Sequence, residues 1–134
     1  MFVRFDYPRT FNGLLEDWAF TDALPRMRSY PAMDVAEHEN EFVAVAELPG
    51  VKKEDVKITF EKNVLTIQGE RKPYEIPEEA QIRLNEMRVR KFSRSVQLLV
   101  QIDAANITAE LENGVLRIVL PKAQEARVRT IAVK

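Results

Sequence analysis

Short runs of alternating apolar and polar residues, separated by turn signals, fill the sequence from Met33 to Pro121. Side chains two residues apart on a strand lie on the same side, so each run offers one apolar face. Seven short strands at this spacing predict an all-β fold, an antiparallel sandwich. The predicted strands lie in MDVAEHE, EFVAVAEL, VKITFE, VLTIQG, KFSRSVQL, NITAELE and VLRIVLPK.

Turn residues divide these runs into hairpins. Asn113 and Gly114 are the pair that a type I′ turn requires, because both of its central residues adopt positive φ. Lys62 and Asn63 separate two further runs closely enough for a second hairpin. The segment PGVKKED predicts a turn followed by a helical loop.

A long charged segment between Gly69 and Lys91 interrupts the strand pattern and contains Pro73 and Pro77. A structureless loop of this size is uncommon inside a compact domain and usually has a function. The alternation in AQIRLNEMRV predicts a further strand, carried away from the sandwich. Such a strand needs an edge to pair with, and a neighbouring subunit has one.

The two ends of the sequence differ from its middle. Residues 1–33 hold most of the aromatic side chains and are interrupted by prolines, which predicts a flexible N-terminal arm before a domain over 34–121. We favour intermolecular use of these aromatics over the alternative that they fold back onto the core. Residues 122–134 predict an extended, flexible tail, in which Ile131 and Val133 project to the same side. By itself this pair is also compatible with a tail that frays or packs on its own domain.

Several function classes are disfavoured by composition. The chain has no cysteine, one histidine (His38) and four glycines that never cluster, so we expect no enzymatic activity, metal or cofactor. The net charge of −1 does not indicate a basic surface that binds nucleic acid. No apolar stretch approaches a membrane span, and Arg4 and Asp6 interrupt the first apolar residues, so we expect no membrane association and a cytoplasmic location.

Four blocks carry a family resemblance, in the order AELPGVKKEDVKITFEKNVLTIQGERK, FSRSVQL, AELENGVLRIVLPK and TIAV. Together they resemble the α-crystallin domain and C-terminal tail of the small heat-shock proteins, especially the bacterial kind, over Pro31 to Lys134. The resemblance implies an immunoglobulin-like sandwich. It also implies an ATP-independent holdase chaperone whose dimers assemble into larger homo-oligomers and bind unfolding client proteins.

The resemblance also implies two assembly sites. The charged segment between Gly69 and Lys91, here called the excursion, pairs with the first domain strand of a partner, and the dimer interface comprises Ile82, Arg83, Leu84, Arg94, Asp34 and Val35. The tail motif, matched by Ile131 and Val133, docks in a groove on another subunit, matched by Val56, Ile58, Phe60, Ala109 and Leu111. The chain departs from the family pattern at Arg90-Lys91, where glycine is usual, and at Leu98-Leu99, where Leu-Pro is usual.

Arg94 stands out because strand alternation places it on the same side as Phe92, Val96 and Leu98. A charge on that side needs a partner, which the sequence offers as Glu86, Asp34 or Glu37. The alternative is that its guanidinium reaches water at the sheet edge.

Client binding is assigned to the arm, because aromatic rings separated by prolines can adapt to many unfolded sequences. The predicted client-binding residues are Phe2, Phe5, Phe11, Leu14, Leu15, Trp18 and Phe20. Two rival functions use the same fold. A co-chaperone adaptor would be monomeric, and a purely structural oligomer would not suppress aggregation.

Overall fold

The computed structural model describes residues 30–87 and 91–134, together with the backbone of residues 4–6. Two four-stranded antiparallel sheets form the domain, with strand orders β1-β6-β5-β4 and β2-β3-β8-β7. The strands are β1 (Arg4–Asp6), β2 (Met33–Glu37), β3 (Glu41–Glu47), β4 (Val56–Glu61), β5 (Val64–Glu70), β6 (Lys91–Gln97), β7 (Thr108–Glu112) and β8 (Val115–Pro121). All seven strands predicted from the sequence are therefore confirmed, as is the all-β sandwich.

Along each of several strands every second side chain is buried, and these buried side chains form the core between the two sheets. In β3 the even-numbered residues are buried, while their odd-numbered neighbours remain partly accessible. Strands β5, β6 and β8 follow the same period-two rule, as expected for sheets that bury one face. The core residues contributed by these four strands are Phe42, Ala44, Ala46, Leu65, Ile67, Phe92, Val96, Leu116, Ile118 and Leu120.

The predicted turns have the required backbone. Asn113 and Gly114 have φ of 51° and 76° between β7 and β8, and Lys62 and Asn63 have φ of 52° and 60° between β4 and β5. The predicted helical loop is the short 3-10 helix Lys53–Asp55. These local features follow from the residue types, because only a few residues tolerate positive φ in adjacent positions.

Gly69 is fixed by a close approach between elements. A Cβ atom added there would lie 2.3 Å from the carbonyl oxygen of Asp55 and 2.8 Å from Cζ of Phe92. No side chain fits at these distances, so β5 passes directly against the 3-10 helix and β6. The ring of Phe92 therefore lies directly against the backbone of Gly69.

Strand β1 was not predicted. Arg4–Asp6 pairs with β6 in the register Arg4↔Gln97, Phe5↔Val96 and Asp6↔Ser95. Three residues carry no readable periodicity, and this strand exists because β6 offers an open edge. Part of the arm therefore folds back onto its own domain, which is the alternative that the sequence pattern favoured less.

The excursion has no strand within its described part, residues 71–87. The predicted strand pairs with a neighbouring subunit, and within one chain the edge strand β2 has β3 as its one described neighbour. The strand-swapped pairing accordingly stays a prediction.

Candidate functional site

Two edge strands carry the predicted groove. On β4, Val56, Ile58 and Phe60 are half-buried and pack against the core, whereas Lys57 and Thr59 between them are exposed. Each strand has a sheet neighbour on one side only, β5 for β4 and β8 for β7. An edge strand of this kind presents unpaired backbone groups beside a row of apolar side chains.

The β7 side of the groove is less buried. Leu111 packs against the core, as does Ile107 just before the strand, but Ala109 is exposed. Ile107 was not among the predicted groove residues, although the alternation in NITAELE places it on the same side as Leu111. The docking role of these residues stays a prediction.

The tail leaves the domain after the 3-10 helix Gln124–Ala126. Ala126 packs against the core, but beyond it Ile131 is 80% exposed and Val133 is 98% exposed. Neither side chain is covered by its own domain. The sequence left open that this pair packs on its own domain. The structure contradicts that alternative, because both side chains are exposed.

A partly buried ion pair holds the start of the tail. Lys122 is 7% exposed, and its Nζ lies 2.8 Å from Oε1 of Glu37 and 5.3 Å from the ring centroid of Phe42. Arg127 Nε donates to the carbonyl oxygen of Lys122 over 3.1 Å. Sequence reasoning missed this site, although alternation along β8 extends from Leu120 to Lys122 and thus places this lysine on the buried side.

We expect an asymmetric effect on stability from the two halves of this ion pair. Glu37→Ala leaves a buried ammonium without its carboxylate, which costs about 1–3 kcal/mol. Lys122→Met keeps the apolar stem on Phe42, and the carboxylate of Glu37, whose side chain is 26% exposed, stays hydrated. In urea unfolding at one fixed protein concentration, the free energy of unfolding should therefore be lower for Glu37→Ala than for Lys122→Met. The double variant should be more stable than Glu37→Ala alone, and the opposite order would contradict the burial argument.

Arg94 connects β6 to the residues that precede β2. It is half-buried on the inner side of β6, and its Nη1 donates a hydrogen bond to the carbonyl oxygen of Pro31. Pro31 itself is buried, and the ring of Tyr30 packs edge-on against Phe92 at a centroid distance of 5.6 Å. Of the acidic partners offered by the sequence, Glu37 pairs with Lys122 instead. The intermolecular role of Arg94 stays a prediction.

The excursion and β2 form the predicted dimer interface. Ile82 and Leu84 are exposed, as are Tyr74, Ile76 and Met87. Arg83 donates to the side chain of Gln81 over 2.8 Å. On β2, an edge strand of its sheet, Val35 is half-buried and Asp34 is exposed. One chain thus brings exposed apolar side chains and an open strand edge to its surface without joining them.

The predicted client-binding residues fall outside the described part of the chain, except that the backbone of Phe5 belongs to β1. Across residues 30–87 and 91–134, no cluster of three or more histidine or acidic side chains has the arrangement of a metal site. In the same part of the chain, no helix has the length and apolarity needed to cross a membrane.

The sandwich, its long exposed excursion and its extended apolar tail together define an α-crystallin-type domain. The model of the Hsp20/alpha crystallin family matches residues 34–134, and the chain belongs to that family. Heat shock protein 16 of Schizosaccharomyces pombe is 36% identical over 140 residues, which cover 97% of this chain and 96% of that protein.

Solved structures agree with the assignment. Heat shock protein 16.0 from Schizosaccharomyces pombe is 37% identical with a TM-score of 0.68, covering 80% of this chain and 99% of that one. A small heat-shock protein from Xylella fastidiosa is 36% identical with a TM-score of 0.63, covering 78% of this chain and 95% of that one. Small heat-shock proteins are chaperones that form homo-oligomers and bind client proteins.

Proposed function

We propose that this chain is an ATP-independent holdase, which binds unfolding proteins and prevents their aggregation through exchangeable homo-oligomers built from strand-swapped dimers. The observation that carries this proposal is that the domain completes its own core yet leaves apolar side chains of the excursion and the tail exposed. Apolar side chains outside a complete core indicate contacts between molecules.

The dimer is proposed to form by exchange of excursions. Residues around Ile82 and Leu84 pair with β2 of a partner, and the partner's excursion returns the same contact. An exchange of identical segments gives a closed two-fold dimer, in which both subunits use the same surfaces. Main-chain hydrogen bonds to the edge of β2 provide the pairing, and the apolar side chains of the excursion are covered at the same time.

The tails are proposed to join dimers into larger assemblies. Ile131 and Val133 enter the groove of Val56, Ile58, Phe60, Ala109 and Leu111 on another dimer, while Ala132 points away. Burial stabilises this contact by about 1.5–3 kcal/mol per side chain, less the cost of ordering the tail. Many such contacts hold the assembly, although each one exchanges. The small heat-shock protein from Xylella fastidiosa has a distinct high order structure, and this supports a comparable assembly here.

Clients are proposed to bind the aromatic arm when warming shifts the equilibrium towards smaller species. We expect the variant Phe11→Ser/Trp18→Ser/Phe20→Ser to lose most of its suppression of aggregation, because serine removes the apolar area that covers exposed segments of a client. The measurement is light scattering of a heated model substrate at near-stoichiometric ratio, without ATP.

A matched control changes polar residues of the same arm, as in Asn12→Ser/Thr21→Ser, and should keep full activity. Full activity of the aromatic variant would contradict the assignment to the arm. An inactive but oligomeric wild-type protein would favour the purely structural role, and a monomeric one would favour the adaptor.

A further inference from the structure

The N-terminal arm is attached to one strand, β6, at both of its described ends. Arg4–Asp6 pairs with Ser95–Gln97, and at the other end Tyr30 and Pro31 contact Phe92 and Arg94. The arm therefore begins and ends on the same strand. Backbone pairing attaches the first end, whereas the second end is held by a ring contact, a buried proline and a charged hydrogen bond.

The first attachment is the weaker of the two. Strand β1 has three residues, the fewest of any strand in the described part of the chain, and it covers three of the seven residues of β6. On its other side β6 pairs with β5 along its full length. Local opening begins where pairing is short and at the edge of a sheet, so β1 is the strand that leaves first.

The Ser95–Gln97 edge of β6 is not used by the proposed strand exchange or tail docking, because Arg94, the β6 residue assigned to the dimer interface, precedes it. The excursion is assigned to β2, and the tail is assigned to β4 and β7. These strands and β1 are the edges of the two sheets, and β6 becomes an edge when β1 leaves. Client access at β6 is thus compatible with an intact dimer and with docked tails.

The chemistry of this edge fits an extended peptide of unspecified sequence. Strand addition uses main-chain hydrogen bonds, which every polypeptide supplies. Natural edges are usually protected by charges or proline, but Ser95, Val96 and Gln97 include neither. On the side of β6 opposite β5, β1 is the described strand that pairs with Ser95–Gln97.

We propose that the Ser95–Gln97 edge of β6 is a client-binding edge masked by β1, and that an extended segment of an unfolding protein takes the place of β1. This inference rests on the proposed holdase function. The contacts of Tyr30 and Pro31 with β6 remain, so the arm opens from its first end while it stays attached beside the exposed edge.

A disulfide tests the proposal by locking β1 in place. The chain has no cysteine, so Asp6→Cys/Ser95→Cys introduces a single possible bridge between register partners. Such partners lie about 4.5–5.5 Å apart at Cα, within the range that a disulfide spans. Arg4→Cys/Gln97→Cys is a second pair of the same kind, in case the first fails to fold or oxidise.

The oxidised lock should suppress aggregation of a heated model substrate several-fold less well than the same protein after reduction. The control is Val45→Cys/Arg117→Cys, register partners on β3 and β8 that no proposed contact uses, and it should be equally active in both states. Equal activity of the oxidised and reduced forms of the β1 disulfide variant would overturn the proposal that β1 masks a client-binding edge. Loss of activity in the reduced lock and the wild type alike would instead overturn the holdase function.

Amide hydrogen exchange distinguishes edge binding from simple restraint of the arm. In a complex with the heated substrate, the amides of residues 4–6 should lose protection, while the amides of Ser95–Gln97 that face away from β5 keep it, because a client strand now pairs there. Loss of protection at both places, or retained protection at residues 4–6, would overturn the proposal.

Discussion

Ile131→Asp/Val133→Asp is expected to reduce the assembly to dimers. Both side chains are exposed on their own domain, so the substitutions leave the fold intact and act only on contacts between molecules. Each docked tail loses two apolar contacts of about 1.5–3 kcal/mol and gains two carboxylates that an apolar groove does not solvate. Light scattering coupled to size exclusion measures the mass directly.

The matched control places the same charges on the other side of the tail. Thr130→Asp/Ala132→Asp adds two carboxylates at alternate positions, which face away from the groove if the tail docks as a strand. This control should keep the large assembly. Large oligomers of unchanged mass in the Ile131/Val133 variant would contradict tail docking, and equal disruption by both variants would indicate a charge effect without a groove.

Ile82→Asp/Leu84→Asp is expected to convert dimers into monomers, the second large effect. These side chains are exposed in the chain by itself, and Leu84 is 76% exposed. Their burial against the β2 edge of a partner is the proposed stabilisation of the dimer, and an unpaired carboxylate at such a contact costs several kcal/mol. Sedimentation over a range of protein concentrations gives the dissociation constant of the dimer.

Tyr74→Ser/Ile76→Ser provides the control for this prediction. Both residues are exposed on the same excursion but lie outside the segment assigned to strand exchange. Dimers should persist in this variant and in the tail variant described above. If the Ile82/Leu84 variant dimerises as tightly as the wild type, the excursion is not the dimer contact.

Period-two alternation explains why the sequence predicted the seven domain strands correctly. Phe42, Ala44 and Ala46 are buried along β3 as this pattern requires, and Asn113 with Gly114 forms the turn that positive φ allows. The same alternation identified Val56, Ile58 and Phe60 as one apolar side of β4, and these residues do pack together on the core. These predictions succeeded because they depend on residues adjacent along the chain.

Contacts between residues distant in sequence were not predictable in this way. Strand β1 has only three residues and forms against an edge more than eighty positions away. From the sequence, Glu37 was one candidate partner of Arg94. The fold instead places Lys122 beside Glu37 and the carbonyl group of Pro31 beside Arg94. Alternation places a charged side chain on the inner side of a strand, but it does not say which distant groups that side will meet.

The sequence by itself thus determined the seven strands from Met33 to Pro121, their turns, the family and the apolar pair of the tail, because each depends on local pattern. The tertiary structure alone decided that both ends of the arm attach to β6 and that a buried lysine fixes the start of the tail. Those choices depend on which strand edges and which polar groups are brought together when the two sheets pack.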